Sequence, residues 1–129
     1  MRRVLVDTNV LLAALVFPGG LPARSFLQVI AEEHLVLTQE ILDEARDVVL
    51  RKWPDRLAAL EQLLASLDYE LPPAGTSDIT IRDAKDQPIL DAAILGSVDI
   101  ILTGDKDFLA LDIERPHIVN PRDYLDLVG

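Results

Sequence analysis

The sequence predicts an α/β fold built on a central, mainly parallel sheet of four or five strands. Short apolar runs alternate with longer helical stretches along the whole chain, the pattern of repeated β–α units. Two of the runs, Val4-Leu5-Val6 and Ile100-Ile101-Leu102, are continuously apolar, as expected of strands buried in the middle of a sheet. Each run delivers an acid just past its end: Asp7 directly, and Asp105 after Thr103-Gly104. Ligands of open parallel sheets bind outside the carboxyl ends of the strands. Two strands ending in this way point to one shared acidic pocket.

Taken in order, Arg3 to Asp7 is the first strand. Asn9 to Val16 is helical and stops before Pro18-Gly19-Gly20, a strong breaker. Pro22 to Glu33 forms a second helix with proline in its first turn. Leu35 to Leu37 is a short strand, after which Thr38 caps a helix reaching about Lys52. Pro54 opens another helix to about Leu67. Tyr69 to Leu71 is a candidate strand ahead of the loop Pro72-Pro73-Ala74-Gly75-Thr76-Ser77. Asp86 is expected as the N-cap of a helix through Leu95, with Pro88 in its first turn. Asp99 to Thr103 is a strand, and Gly104 a sharp exit from it. Asp105 caps a short helix through Leu111. His117 to Val119 is a late strand, and Pro121 opens the terminal helix.

Composition excludes several classes. The chain of 129 residues is one domain's worth of core. Aromatic residues are only 5%, so Leu, Ile, Val and Ala must fill the interior. Cysteine is absent, which removes disulfides and thiolate metal sites. No apolar run reaches the roughly 18 residues of a membrane span, and Asp7 interrupts the one stretch that begins like a signal peptide. A soluble, cytoplasmic protein without membrane association is expected. The formal net charge of −10 argues against broad nonspecific nucleic-acid binding, which rests on Lys and Arg. It does not argue against an enzyme whose acids are screened by a cation.

Each acid has an ordinary explanation when taken alone. Asp7 and Asp105 can be helix caps, and so can Asp86. Glu44 falls roughly 40° outside the apolar stripe Ile41, Ala45, Val48 and Val49, where it is either a surface acid or one leaning toward a strand end. Asp91 sits in the apolar run Ile89-Leu90-Asp91-Ala92-Ala93 and either points outward or is buried with a partner, because an unpaired buried charge is prohibitive. Together, acids from a first strand end, a mid-chain helix, a later helix start and a late strand end can converge in one α/β domain. Clustered carboxylates raise one another's pKa values, and they suit a hard cation such as Mg²⁺ or Mn²⁺. His34 and His117 have no metal-ligand spacing and are expected at loops or strand edges.

These residues resemble the PIN domain family, most closely its single-domain VapC-like toxin branch. The resemblance spans nearly the whole chain. It is carried by Val4-Leu5-Val6-Asp7-Thr8-Asn9-Val10-Leu11, Thr38-Gln39-Glu40-Ile41-Leu42-Asp43-Glu44, Lys85-Asp86-Gln87-Pro88-Ile89-Leu90-Asp91-Ala92-Ala93 and Leu102-Thr103-Gly104-Asp105-Lys106-Asp107-Phe108-Leu109. It implies a three-layer α/β/α fold and a Mg²⁺- or Mn²⁺-dependent endoribonuclease over residues 1–129. Asp7, Glu44, Asp86 and Asp105 match the catalytic, metal-binding acids. Asp91 and Asp107 are further metal candidates. Thr8, Asn9 and Thr103 would position acids or water by hydrogen bonds. Lys85 and Lys106, which adjoin site acids, would contact RNA, and Arg46, Arg51, Lys52 and Arg56 would form a basic patch; the alternative is that these residues serve solubility and helix-surface pairing. The resemblance further implies a cognate antitoxin protein and a homodimer.

Rival classes fit less well. A haloacid-dehalogenase-like phosphatase needs a second acid two residues after Asp7, where Asn9 stands. A phosphoacceptor receiver domain needs an Asp at a middle strand end, where Thr38 stands. The remaining alternative is a PIN-fold module that binds RNA or protein but has lost catalysis; the four intact acids speak against it.

Overall fold

The computed structural model describes residues 1–129. Its strands are β1 (Arg3–Val6), β2 (His34–Val36), β3 (Tyr69–Glu70), β4 (Ile100–Leu102) and β5 (His117–Val119). They form one five-stranded sheet in the order β3-β2-β1-β4-β5, and every neighbouring pair is parallel. Leu5 lies opposite Val36 on one side and Ile101 on the other. All side chains of Val4 to Val6 and Ile100 to Leu102 are buried, which accounts for their unbroken apolar runs.

The helices are α1 (Thr8–Val16), α2 (Leu21–Glu32), α3 (Gln39–Lys52), α4 (Leu57–Ser66), α5 (Gln87–Leu95), α6 (Lys106–Leu109) and α7 (Pro121–Val128). With the sheet between them they give the three-layer α/β/α arrangement. α1 packs on α2 and α3, and α2 packs on α7. No single helix is long and apolar enough to cross a membrane. Gly19 adopts φ +93° between α1 and α2, a conformation costly for any other residue. Gly104 needs no such freedom. Its φ is not positive, and a Cβ there would meet open space.

Helix starts follow local chemistry. Thr38 Oγ1 accepts from the Ile41 amide at 3.1 Å, and Asn120 Oδ1 accepts from the Asp123 amide at 2.8 Å. The expected helix from Pro54 begins instead as a 3-10 turn, Pro54–Arg56, before α4. Asp86 also departs from expectation. It closes a second 3-10 turn, Ala84–Asp86, with helical backbone angles, and its carboxylate makes no capping bond. The cap belongs to Asp83, which accepts from the Lys85 amide at 3.0 Å. The Asp86 side chain is thereby left for other use.

Order in the sheet fixes where a site can form. The chain runs from central β1 outward through β2 and β3, then returns to β4 and β5 on the far side. The strand order therefore reverses between β1 and β4, the crevice where doubly wound sheets bind ligands. At the opposite, amino end of the strands the charges are paired. Arg3 joins Glu70, with His34 also on Glu70; Arg115 meets Asp99. Both histidines lie at that end, since His34 opens β2 and His117 opens β5.

The long connection 71–83 has no regular structure and is held by two side chains of α5. Asp91 Oδ1 accepts from the Ser77 amide (3.1 Å), the Ser77 hydroxyl (2.7 Å) and Gln87 Nε2 (2.9 Å). Gln87 also donates to the Ile79 carbonyl and accepts from the Ile81 amide. Asp91 is 5% exposed, so Asp91→Ala would strand these donors. It is expected to cost about 1–3 kcal/mol and to speed amide exchange at Ser77 and Ile81. Unchanged exchange there would remove Asp91 from this role.

Candidate active site

Asp7 and Thr103 meet across the β1/β4 crevice. The Asp7 amide donates to the Leu102 carbonyl at 3.0 Å, which holds the two strand ends together. Asp7 Oδ1 accepts from the Thr8 amide (2.8 Å) and Oδ2 from the Thr103 hydroxyl (2.7 Å). Thr103 Oγ1 accepts in turn from the Asp105 amide at 3.0 Å. Because that amide can only donate, the single hydroxyl proton of Thr103 is directed at Asp7. One fully buried threonine thus sets the position of two acids. Asp105 Oδ1 accepts from the Asp107 amide at 2.7 Å and caps α6 as expected.

Asp86 arrives at the same place from the start of α5. It is 9% exposed, and its Oδ2 has no hydrogen-bond partner. Burial pushes its pKa up to about 7, reinforced by the charges of Asp105, Asp7, Asp83 and Glu44. Asp7 is raised as well, first by burial, with Glu44 and Asp105 adding to it; the Thr103 and Thr8 hydrogen bonds act against the rise. Glu44 is exposed on α3, yet its charge acts on both buried acids. Asp7, Glu44, Asp86 and Asp105 therefore share one electrostatic environment, although they come from four separate segments.

No lysine, arginine or histidine forms an ion pair with any of these four acids. Buried carboxylates are normally paired or bound to a metal, and here the positive partner is missing from the polypeptide. Asp83, Asp86 and Asp107 also bring one carboxylate oxygen each within 4.8 Å of one another. Asp107 was expected near the centre. Asp83 was not, although its spacing of three from Asp86 was available as a signal: one 3-10 turn stacks the two. An oxygen-only donor set with an unpartnered buried Oδ2 fits a hard divalent cation.

The remaining expected residues separate. The Asp91 carboxylate is engaged with Ser77 and Gln87 rather than gathered with the four acids. The Thr8 hydroxyl is buried beside Asp7 without a partner. Asn9 is exposed and bonds to none of the acids; it borders a groove between α1 and α3. Lys85 and Lys106 are exposed and unpaired next to Asp86 and Asp105. The four expected basic residues do not act as one patch. Arg46 is bound to Glu61 in a bidentate pair, and Arg56 donates to the Leu15 carbonyl. Arg51 lies 4.0 Å from Asp47, while Lys52 rests over the Trp53 ring.

The chain is thus a three-layer α/β/α domain with uncompensated acids at the switch point of its sheet. The family model described as PIN domain matches residues 3–107, and the chain belongs to that family. The uncharacterized protein MJ1680 of Methanocaldococcus jannaschii is 30% identical over 90% of this chain and 79% of its own length. A chain in the crystal structure of VapBC2 from Rickettsia felis, bound to a DNA fragment from its promoter, has the same fold. Its TM-score is 0.68, covering 92% of this chain and 98% of that one at 14% identity. The resemblance drawn from the sequence motifs thus holds for family and fold.

Proposed function

We propose that residues 1–129 act as one PIN nuclease domain, a Mg²⁺- or Mn²⁺-dependent endoribonuclease serving as the toxin of a toxin–antitoxin pair in the cytoplasm. The observation that carries this reading is the group of four acids, Asp7, Glu44, Asp86 and Asp105, at the β1/β4 switch point without any basic partner. PIN membership and the likeness to VapBC2 support it. By analogy with the VapC-like branch that its motifs resemble, a small antitoxin would cover the acidic groove, and two copies would pair through helices of the N-terminal half.

In this reading Asp7, Glu44, Asp86 and Asp105 hold the cation, with Asp107 and Asp83 extending the acidic shell. A bound divalent ion would supply positive charge for the phosphodiester and lower the pKa of water. The polypeptide does the rest. Thr103 ties the Asp7 carboxylate to the Asp105 backbone amide and so holds the two segments in register. Thr8 offers a buried hydroxyl beside Asp7 with its hydrogen-bonding capacity unused. Lys85 and Lys106 stand beside the acids with free charges for the phosphate backbone.

The test is incubation of the purified protein with single-stranded RNA in Mn²⁺, in Mg²⁺ and in excess chelator. Cleavage in the metal-containing samples alone is the expected result. Absence of cleavage with either metal would favour the catalytically inactive binding module. A finer check is Thr103→Val, which keeps shape but removes both hydrogen bonds of the hydroxyl. About tenfold slower cleavage is expected, together with roughly 1–2 kcal/mol lower stability. Full activity in that variant would show that the Asp7–Asp105 alignment does not need the hydroxyl.

A further inference from the structure

The groove between α1 and α3 is not used by the acids, yet it starts beside them. Glu44, Val48 and Lys52 recur every four residues and so follow one face of α3. Over those eight residues the helix advances about 12 Å, from an acid of the centre to Lys52 and Trp53. On the other wall, Asn9 lies two residues after Asp7, and Leu12 and Val16 continue along the same face of α1. The groove encloses about 270 Å³. Trp53 closes its far end, and Phe17, 65% exposed, stands at its rim.

Charge distinguishes the far end from the near one. Lys52 Nζ lies 5.9 Å from the Trp53 ring centroid and forms no ion pair. Arg56 is fixed nearby through its bond to the Leu15 carbonyl of α1. In a protein with net charge −10, Lys85 and Lys106 are few cations with which to grip a polyanion at the acidic centre, so further affinity must come from cations and flat apolar surface farther along. Aromatic rings paired with a lysine provide both, since bases stack on rings regardless of sequence and phosphates seek the ammonium group. We propose that this groove is a nucleobase-and-phosphate subsite, holding single-stranded RNA a short distance along the strand from the bond to be cut. The inference rests on the nuclease reading above and adds the residues that grip the substrate: Phe17, Lys52 and Trp53.

Trp53 is the sole tryptophan and so reports on its own groove. The Asp7→Asn protein, titrated with a short single-stranded oligoribonucleotide in Mg²⁺, should show saturable quenching of Trp53 fluorescence. Inorganic polyphosphate, which has no bases, should not quench it. Phe17→Ala and Lys52→Ala should each weaken binding about tenfold. In the wild-type background, Phe17→Ala should raise KM with kcat preserved. Phe17 is exposed, so its truncation leaves the core intact. Cleavage with unchanged KM in both variants and no Trp53 response would overturn the subsite while leaving the nuclease standing. Binding with quenching but no cleavage by the wild type would keep the subsite and end the nuclease reading. Quenching by an amphipathic apolar peptide but not by the oligonucleotide would assign the groove to a protein partner and overturn the inference.

Discussion

Asp7→Asn is expected to slow RNA cleavage by roughly 10²–10³-fold while making the metal-free protein more stable at pH 8. The two effects share one cause. Asp7 is 7% exposed, and its pKa is raised by burial and by the charges of Glu44 and Asp105. Keeping it ionised without a cation therefore opposes folding. Asparagine keeps the size and an acceptor for the Thr8 amide, but carries no charge, so the repulsion disappears. The charge that would hold a cation disappears with it. Asp7→Ala separates the terms, because it also leaves the Thr103 hydroxyl and the Thr8 amide unpaired. That variant should lose activity equally but fall about 1–3 kcal/mol in stability relative to Asp7→Asn. Thermal melts in chelator and single-turnover cleavage in Mn²⁺ measure the pair of effects. Wild-type cleavage rates in Asp7→Asn would remove Asp7 from the chemistry. A lower melting temperature for that variant would show that the buried charge is compensated after all.

Asp7 and Asp105 were legible in the sequence for a physical reason. A strand buried on both faces writes a continuous apolar run, and the residues just past it lie at the carboxyl end of the sheet, Asp7 directly and Asp105 after Thr103-Gly104. Glu44 was legible from helix geometry, since its angle outside the apolar stripe agrees with its exposed position on α3. Asp86 was found, but its local role was not. An N-cap and the last residue of a 3-10 turn look alike in sequence, and only the backbone shows that Asp83 does the capping. Asp91 reads equally as a surface acid or a buried, partnered one, because its partner, Ser77, lies in a connection without periodicity. The groove between α1 and α3 was not visible at all. It depends on which faces of two helices meet, and that is decided by packing on the sheet rather than by either helix alone.

Stability of the metal-free protein should fall as pH rises from 5 to 8, and Mg²⁺ or Mn²⁺ should restore it. Asp86 has a folded-state pKa of about 7 against an ordinary value of 3.8. Between those values the folded chain holds a proton that the unfolded chain has lost, so folding is favoured by acid. The penalty is absent below the unfolded value, grows across the window, and is complete above about pH 7. Asp7 is shifted in the same direction. The carboxylates with lowered pKa, Glu61, Glu70 and Asp91, act with the opposite sign. Their contribution is lost only as pH falls below the ordinary carboxylate range, so they do not enter between pH 5 and 8. Discounted for the solvent that reaches this centre, a shift of this size on one acid corresponds to about 1–2 kcal/mol, less than the full value of roughly 1.4 per pH unit. For a chain of this length that is roughly 5–10 °C in melting temperature. A cation binding only the folded, ionised centre stabilises by mass action. Its effect should be large at pH 8 and small at pH 5, where Asp86 is protonated and competes with the metal. Melts at both pH values, with chelator and with Mn²⁺, give four numbers. Equal metal-induced shifts at pH 5 and pH 8 would mean that the ion binds elsewhere than at Asp86.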